Sequence, residues 1–209
     1  MNRRCVIVGG AGIGDYEFVR RHLREDDFNI FCDGGLAHQK ALGITPHLIV
    51  GDFDSHSNPH SGVETIILPC EKDDTDTVFA AKEAVKRGFD SFLLIGAAGA
   101  RLDHTLGNVS ILLKLHALGR EALLVDDYSE MEIVSKNPVY IDDSYPFFSL
   151  LNITGRARGI TVKNAKYPLQ GAEIDCTYQY GISNEVLPGD RAVVSVEEGE
   201  LLLIKVTRG

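Results

Sequence analysis

Short runs that are apolar at almost every position alternate with stretches of helical period through roughly the first 127 residues. The apolar runs fall at 5–9, 29–32, 48–50, 65–68, 91–95 and 122–125. A half-exposed strand alternates apolar and polar residues, so near-continuous apolar runs predict strands covered on both faces, as in a parallel sheet. Between them, residues 15–24 place Phe18, Val19 and Leu23 on one side. Residues 75–87 do so with Val78, Phe79, Ala81 and Val85, and 103–118 with Leu106, Val109, Leu112, Leu113 and Leu118. These stretches predict helices, and the alternation predicts an α/β unit built on a doubly wound, mostly parallel, Rossmann-like sheet.

The grammar changes after Tyr128. Short β-rich runs at 131–134, 139–141, 147–153, 159–162, 192–196 and 201–206 are punctuated by Gly, Pro, Asn and Asp, with no helical period. They predict a smaller all-β domain, a sandwich. The domains are assigned to residues 1–130 and 131–209, with the change of pattern between 128 and 138.

With 209 residues and 44% apolar content, the chain is long and apolar enough to fold around a core. Its 21 Lys and Arg against 30 Asp and Glu give a net charge of −9, which argues against binding a nucleic-acid backbone. A phosphate-bearing small molecule stays open, because a divalent cation can bridge carboxylates and phosphates. No run approaches the ~18–20 apolar residues of a membrane helix, and the N-terminal apolar run is too short for a signal peptide. Cys5, Cys32, Cys70 and Cys176 form no C-x-x-C pair. Three of the four sit in strand-like apolar surroundings, where a free Cys is expected as a small buried hydrophobe, and a reducing cytoplasm is the expected compartment.

The opening G-G-A-G-I-G-D resembles a dinucleotide fingerprint, but read from Gly10 its last glycine is replaced by Asp15. A tight turn is the simpler reading. The P-loop pattern and the protein-kinase signatures are absent.

The chemistry gathers after the α/β strands. Asp33 stands in C-D-G-G, Asp52 and Asp54 in G-D-F-D-S, and Asp73, Asp74 and Asp76 in K-D-D-T-D. Arg101, Asp103 and His104 stand in R-L-D-H-T-L-G-N. In a parallel sheet all four loops emerge at the carboxyl edge, where ligands bind. Converging carboxylates repel unless protonated or bridged by a cation, and hard oxygen donors favour Mg2+ or Ca2+ over zinc. Plainer roles compete. Asp74 and Asp103 could cap helices, Asp33 could form a turn, and Arg101 could pair with a neighbouring Asp. Lys72 could be merely solvated, and Ser183 and Asn184 could sit in a hairpin turn.

Together with G-I-S-N-E at 181–185, these four motifs resemble the thiamin pyrophosphokinase family, in its bacterial form, across both domains. The resemblance implies transfer of pyrophosphate from ATP to the hydroxyl of thiamine, giving thiamine diphosphate and AMP, with Mg2+. It implies a homodimer with sites near the subunit interface. It makes Asp52, Asp54 and Asp76 the metal carboxylates, with Asp73 beside them. Asp33, Lys72, Thr75, Arg101, Asp103, His104 and Asn108 fall in the ATP and phosphate region, and Ser183 and Asn184 near thiamine. Some members use a Trp near thiamine; this chain has none. Tyr167 could replace it, or fill a core or edge-strand position. The competing readings are a metal-dependent phosphohydrolase and a non-catalytic thiamine or nucleotide-binding module.

Overall fold

The computed structural model describes residues 3–53, 62–71, 73–99 and 101–207. The chain divides into two compact units, Met1–Asp127 and Tyr128–Gly209.

In the first unit, strands β1 (Arg4–Val8), β2 (Phe28–Cys32), β3 (Leu48–Gly51), β4 (Glu64–Ile67), β5 (Ser91–Ile95) and β6 (Glu121–Val125) lie in the order β6-β5-β1-β2-β3-β4. Every pairing among them is parallel. The apolar runs lie within a residue or two of these strands. β1, β2, β3 and β5 are buried along nearly their whole length, whereas β4, at the end of the order, is not. Helices α1 (Tyr16–Arg20), α2 (Gln39–Leu42), α3 (Asp76–Lys86) and α4 (Leu102–Ala117) connect the strands.

Val19 of α1 and Leu42 of α2 share a core with Val6, Val8, Phe31, Leu93 and Ile95. α3 packs on β1, β2 and β3. It does so through Ala80, Ala81 and Ala84, whose small side chains let a helix lie close to a sheet. Cys32, the neighbour of Phe31 and so on the opposite face, donates its thiol to Thr77 Oγ1 of α3 at 3.9 Å. Two features were not predicted: a 3₁₀ helix at Asp33–His38 and the short α2 that continues it. α1 is also shorter than the periodicity suggested.

The second unit holds two antiparallel sheets. One has the order β12 (Gly181–Asn184), β9 (Phe147–Leu151), β14 (Leu201–Val206), β7 (Ser129–Val134). The other runs β11 (Leu169–Asp175), β10 (Arg156–Lys163), β13 (Arg191–Ser195), β8 (Val139–Asp142). Phe148, Leu150, Leu201 and Leu203 from the first share one core with Ala157, Ile160, Ile174 and Val194 from the second. β11 and β12 were missed by sequence because both are outer strands with polar or exposed residues at most positions.

The cysteine expectation needs correction: Cys5 and Cys32 are buried, but Cys70 and Cys176 are exposed, and all four are free. Among the described residues no helix is long and apolar enough to cross a membrane.

The site-forming edge depends on a close backbone crossing after β1 and β5. A Cβ on Gly9 would lie 2.4 Å from the Gly96 carbonyl oxygen, and one on Gly96 would lie 2.5 Å from that of Gly9. Neither carbonyl belongs to a flexible side chain, so Gly9→Ala must spread the two strands. We expect a loss of about 2 kcal/mol of unfolding free energy, read from the urea midpoint. Gly12, whose Cβ would meet nothing within 4 Å, should tolerate Ala within about 0.5 kcal/mol.

Candidate active site

The strand order reverses between β1 and β5, and there the loops after neighbouring parallel strands diverge and leave a crevice. A cavity of about 440 Å³ occupies this edge. One wall is the turn after β1, at residues 10–12, and another is the turn after β5, at Gly96, Ala97 and Gly99. The remaining lining comes from the starts of α3 (Thr75, Asp76, Thr77) and α4 (Arg101, His104, Thr105, Asn108), with Cys32 and Gly34 from the end of β2.

The sequence-derived candidates therefore separate into groups. Thr75, Asp76, Arg101, His104 and Asn108 line the cavity. Asp33 is 3% exposed at the end of β2, packed where a Cβ on Gly51 would fall within 2.6 Å of its own Cβ. Asp52 is half-buried after β3, and Asp73 is exposed before α3; neither lines the cavity. Asp54 and Lys72 lie outside the described residues. Ser183 and Asn184 belong to the second unit.

Several plainer roles are settled by the hydrogen bonds. Thr75, not Asp74, caps α3: its hydroxyl accepts from the Val78 N–H at 3.3 Å. Asp74 pairs instead with Lys82. Asp103 does not occupy the cap position of α4 either; Arg101 does, without a side-chain capping bond. Arg101 Nε and Nη2 donate to Asp103 at 2.9 and 2.6 Å, which holds the Asp103 carboxyl well below the usual carboxylate range. Asn108 is buried, and its Nδ2 donates to the Ala97 carbonyl at 2.6 Å, tying α4 to the turn after β5. Thr105, which the sequence reading overlooked, accepts from the Gly99 N–H at 3.1 Å and does the same work one turn earlier.

In the second unit, Ser183 and Asn184 lie on β12 rather than in a hairpin turn. Ser183 is exposed at φ 57°, and its N–H donates to Ser149 Oγ at 3.0 Å. Asn184 is buried and clasps the Tyr167 backbone: Oδ1 accepts from its N–H at 3.0 Å and Nδ2 donates to its carbonyl at 2.8 Å. Tyr167 itself is 58% exposed and outside the strands, so it fills neither a core nor an edge-strand position. Tyr167, Tyr180, Ile182 and Asn184 border a small hollow there.

One buried titratable group also escaped the sequence reading. His38 ends the 3₁₀ helix, with Nδ1 2.7 Å from Tyr16 Oη and Nε2 2.9 Å from the Ala11 carbonyl. No periodicity or motif marks it. Among the described residues no group of three or more His, Cys, Asp or Glu is placed to hold a metal ion. The donor chemistry nevertheless suits Mg2+, which takes one or two carboxylates and completes its shell with water and substrate phosphates.

The parallel unit with its crevice at the strand-order reversal, followed by an antiparallel β unit, defines a mixed α/β architecture with a candidate ligand crevice. The family models for the thiamin pyrophosphokinase catalytic domain and vitamin B1 binding domain match residues 19–124 and 131–201. The chain belongs to the thiamin pyrophosphokinase family, and it is an enzyme of that type. The thiamine pyrophosphokinase of Bacillus subtilis (strain 168) is 27% identical over 186 residues, covering 85% of this chain and 86% of the relative. The crystal structure of thiamine pyrophosphokinase from Bacillus subtilis superposes with a TM-score of 0.87 at 25% identity, covering 99% of this chain and 100% of that one. That of the Geobacillus thermodenitrificans protein gives 0.83 at 28%, covering 99% and 98%. Yeast thiamin pyrophosphokinase, at 14% identity and a TM-score of 0.73 over 98% of this chain and 86% of its own, shares the fold.

Burial holds the His38 imidazole below its ordinary 6.5, so the native ring is neutral where an unfolded one is already protonated. Its contribution to stability is complete above the unfolded value and declines as pH falls through it toward the native one. Urea unfolding from about pH 8 down to about pH 5 should show this loss, and His38→Gln should remove that component.

Proposed function

We propose that the chain transfers the pyrophosphoryl group of ATP to the hydroxyl of thiamine, releasing AMP and thiamine diphosphate, in a Mg2+-dependent reaction. The observation that carries the assignment of ATP is the cavity at the strand-order reversal, lined by the starts of two helices and by Arg101. Helix N-termini offer unsatisfied N–H groups and positive potential to phosphates. The same reversal, with helices on two faces of the sheet, supports a doubly wound, Rossmann-like reading of the first unit, assigned to ATP and Mg2+.

Asp52 and Asp76, with Asp54, would hold Mg2+, which would supply charge compensation at the phosphate oxygens. Thr75 and the first turn of α3 would sit beside the same phosphates, with Asp73 and Lys72 next to them in sequence. Arg101 would leave Asp103 for the phosphate. Both partners are highly exposed, and an exposed ion pair is cheap to open. His104 and Asn108 would contact the nucleotide from α4, and Asp33 would brace the end of β2. These groups act by positioning and by electrostatics, which carry most of the acceleration in phosphoryl transfer.

Ser183 would face thiamine in the second unit. Asn184 would act at one remove, by fixing Tyr167 as the aromatic next to the vitamin in a chain without Trp. Exposed Tyr178, Tyr180 and Ile182 on that unit support its further role in a homodimer. Exposed free thiols at Cys70 and Cys176 support a reducing, cytoplasmic setting.

Incubation with ATP, Mg2+ and thiamine should yield AMP and thiamine diphosphate in equal amounts. Thiamine-independent phosphate release would point to a hydrolase, and tight binding without turnover to a binding module. Asp76→Asn should lower kcat by about 10³-fold or more while the chain stays folded. Near-normal turnover would overturn the metal assignment. Ser183→Ala should chiefly raise the thiamine KM; a raised ATP KM in its place would put Ser183 in the other pocket.

A further inference from the structure

We infer that His38, backed by Tyr16, is a positioning residue for the nucleotide: it fixes the Ala11 peptide and thereby the cavity wall at residues 10–12. The inference rests on the reading of this cavity as the ATP site.

The geometry determines how the ring is used. A carbonyl oxygen only accepts, so Nε2, 2.9 Å from the Ala11 oxygen, carries the ring proton. Nδ1 is then the acceptor for the Tyr16 hydroxyl at 2.7 Å. The Ala11 carbonyl thus selects the tautomer, and Tyr16, by donating to Nδ1, supports it. The two rings lie 5.8 Å apart at 53°, and His38 is 7% exposed, so the ring has little room to turn.

Ala11 is held on its other side too, where its N–H donates to the Gly96 carbonyl at 2.8 Å. Both backbone groups of this one residue are therefore engaged. Further along, Asp127 accepts from the N–H of Gly14 at 2.7 Å and of Asp15 at 2.9 Å, so the loop is gripped at both ends. Only the stretch facing the cavity, around the exposed Gly12, is left to be shaped by the grip.

The chemical consequence follows from charge. A peptide carbonyl turned toward a triphosphate repels it, whereas an N–H attracts it. A carbonyl engaged by the His38 N–H is not available to turn that way. His38 touches no substrate; it acts through Ala11. The signature of that role is a change in nucleotide affinity with little change in thiamine affinity.

The test compares His38→Phe, which removes the donor, with His38→Gln, whose carboxamide can both donate to Ala11 and accept from Tyr16. Steady-state kinetics is run on variants shown to be folded by circular dichroism. His38→Phe should raise the ATP KM about tenfold, the value of one ordinary hydrogen bond, and change the thiamine KM and kcat less than about twofold. His38→Gln should restore the ATP KM to within about threefold of the parent. Should His38→Phe not fold, Tyr16→Phe keeps the ring and the donor and frees only the tautomer. It should raise the ATP KM about threefold.

An unchanged ATP KM in these variants, an equal rise for both substrates, or a folded His38→Gln that restores nothing would each overturn the positioning role. Gly12→Val separates this failure from a failure of the site assignment, since it adds bulk at a cavity-wall position where a Cβ would meet nothing within 4 Å. A raised ATP KM in Gly12→Val but not in His38→Phe discards the role of His38 alone. No change in either discards the cavity as the nucleotide site, and the inference with it.

Discussion

The crossing of two backbones at Gly9 and Gly96 is the constraint on which the catalytic unit depends. β1 and β5 are hydrogen-bonded neighbours, yet the helices that follow them leave in different directions. Their loops must therefore part immediately after the last strand residue. The Gly9 N–H reaches the Ile95 carbonyl and the Ala11 N–H reaches the Gly96 carbonyl, both at 2.8 Å. The sheet ladder is thus prolonged one step past the strands before the chains separate. Side chains at 9 and 96 would hold the strands apart. Gly35 makes the same demand on the β2 side, where a Cβ would fall 2.2 Å from the Val8 carbonyl oxygen. The crevice is what remains when three loops are pressed together at their roots and splayed at their tips.

This explains which parts were legible in the sequence. The strands β1, β2, β3 and β5 are buried on both faces, so their composition alone identifies them, to within a residue at most ends. α3 and α4 are long enough for their periodicity to show. What stayed hidden is held by tertiary contact and not by pattern. The 3₁₀ helix after β2 begins with D-G-G, which local propensity reads as a turn; it forms where the chain is pressed against β1. β11 and β12 carry Gln, Gly, Glu, Ser and Asn, because an outer strand needs little apolar surface.

The candidate site divides in a similar way. Carboxylates after strands are conspicuous in sequence, because seven aspartates fall within four short motifs. Their supports are not conspicuous. His38 is a single polar residue with no spacing to betray it, and Thr105 and Asn108 share one motif in which only Asn108 stood out. Their importance lies in which carbonyl or N–H they reach: Ala11, Gly99 and Ala97, all in the two turns that wall the cavity. The chain thus keeps its most recognisable charges at the ends of elements, and its positioning groups beneath them.

The opening glycine motif shows why a pattern can mislead when its partner groups are unseen. In a dinucleotide fold the N–H groups at the start of the first helix are left for a pyrophosphate. Here they are already engaged. Asp15, standing where a fingerprint glycine would be, accepts from the Phe18 N–H at 2.9 Å, and Asp127 takes those of Gly14 and Asp15. Two of the protein's own carboxylates thus occupy the positive end of α1, so an incoming phosphate would meet negative charge there. Among the helices bordering the cavity, α3 is capped by the neutral Thr75, and α4 begins at Arg101 with no side-chain cap. The start of α1 is thus taken up by the protein's own groups, whereas the starts of α3 and α4 border the cavity together with Arg101. Of the glycines in this first turn, Gly9 and Gly10 serve close backbone approaches, to Gly96 and to Gly34, so the pattern that resembles a fingerprint is explained by packing.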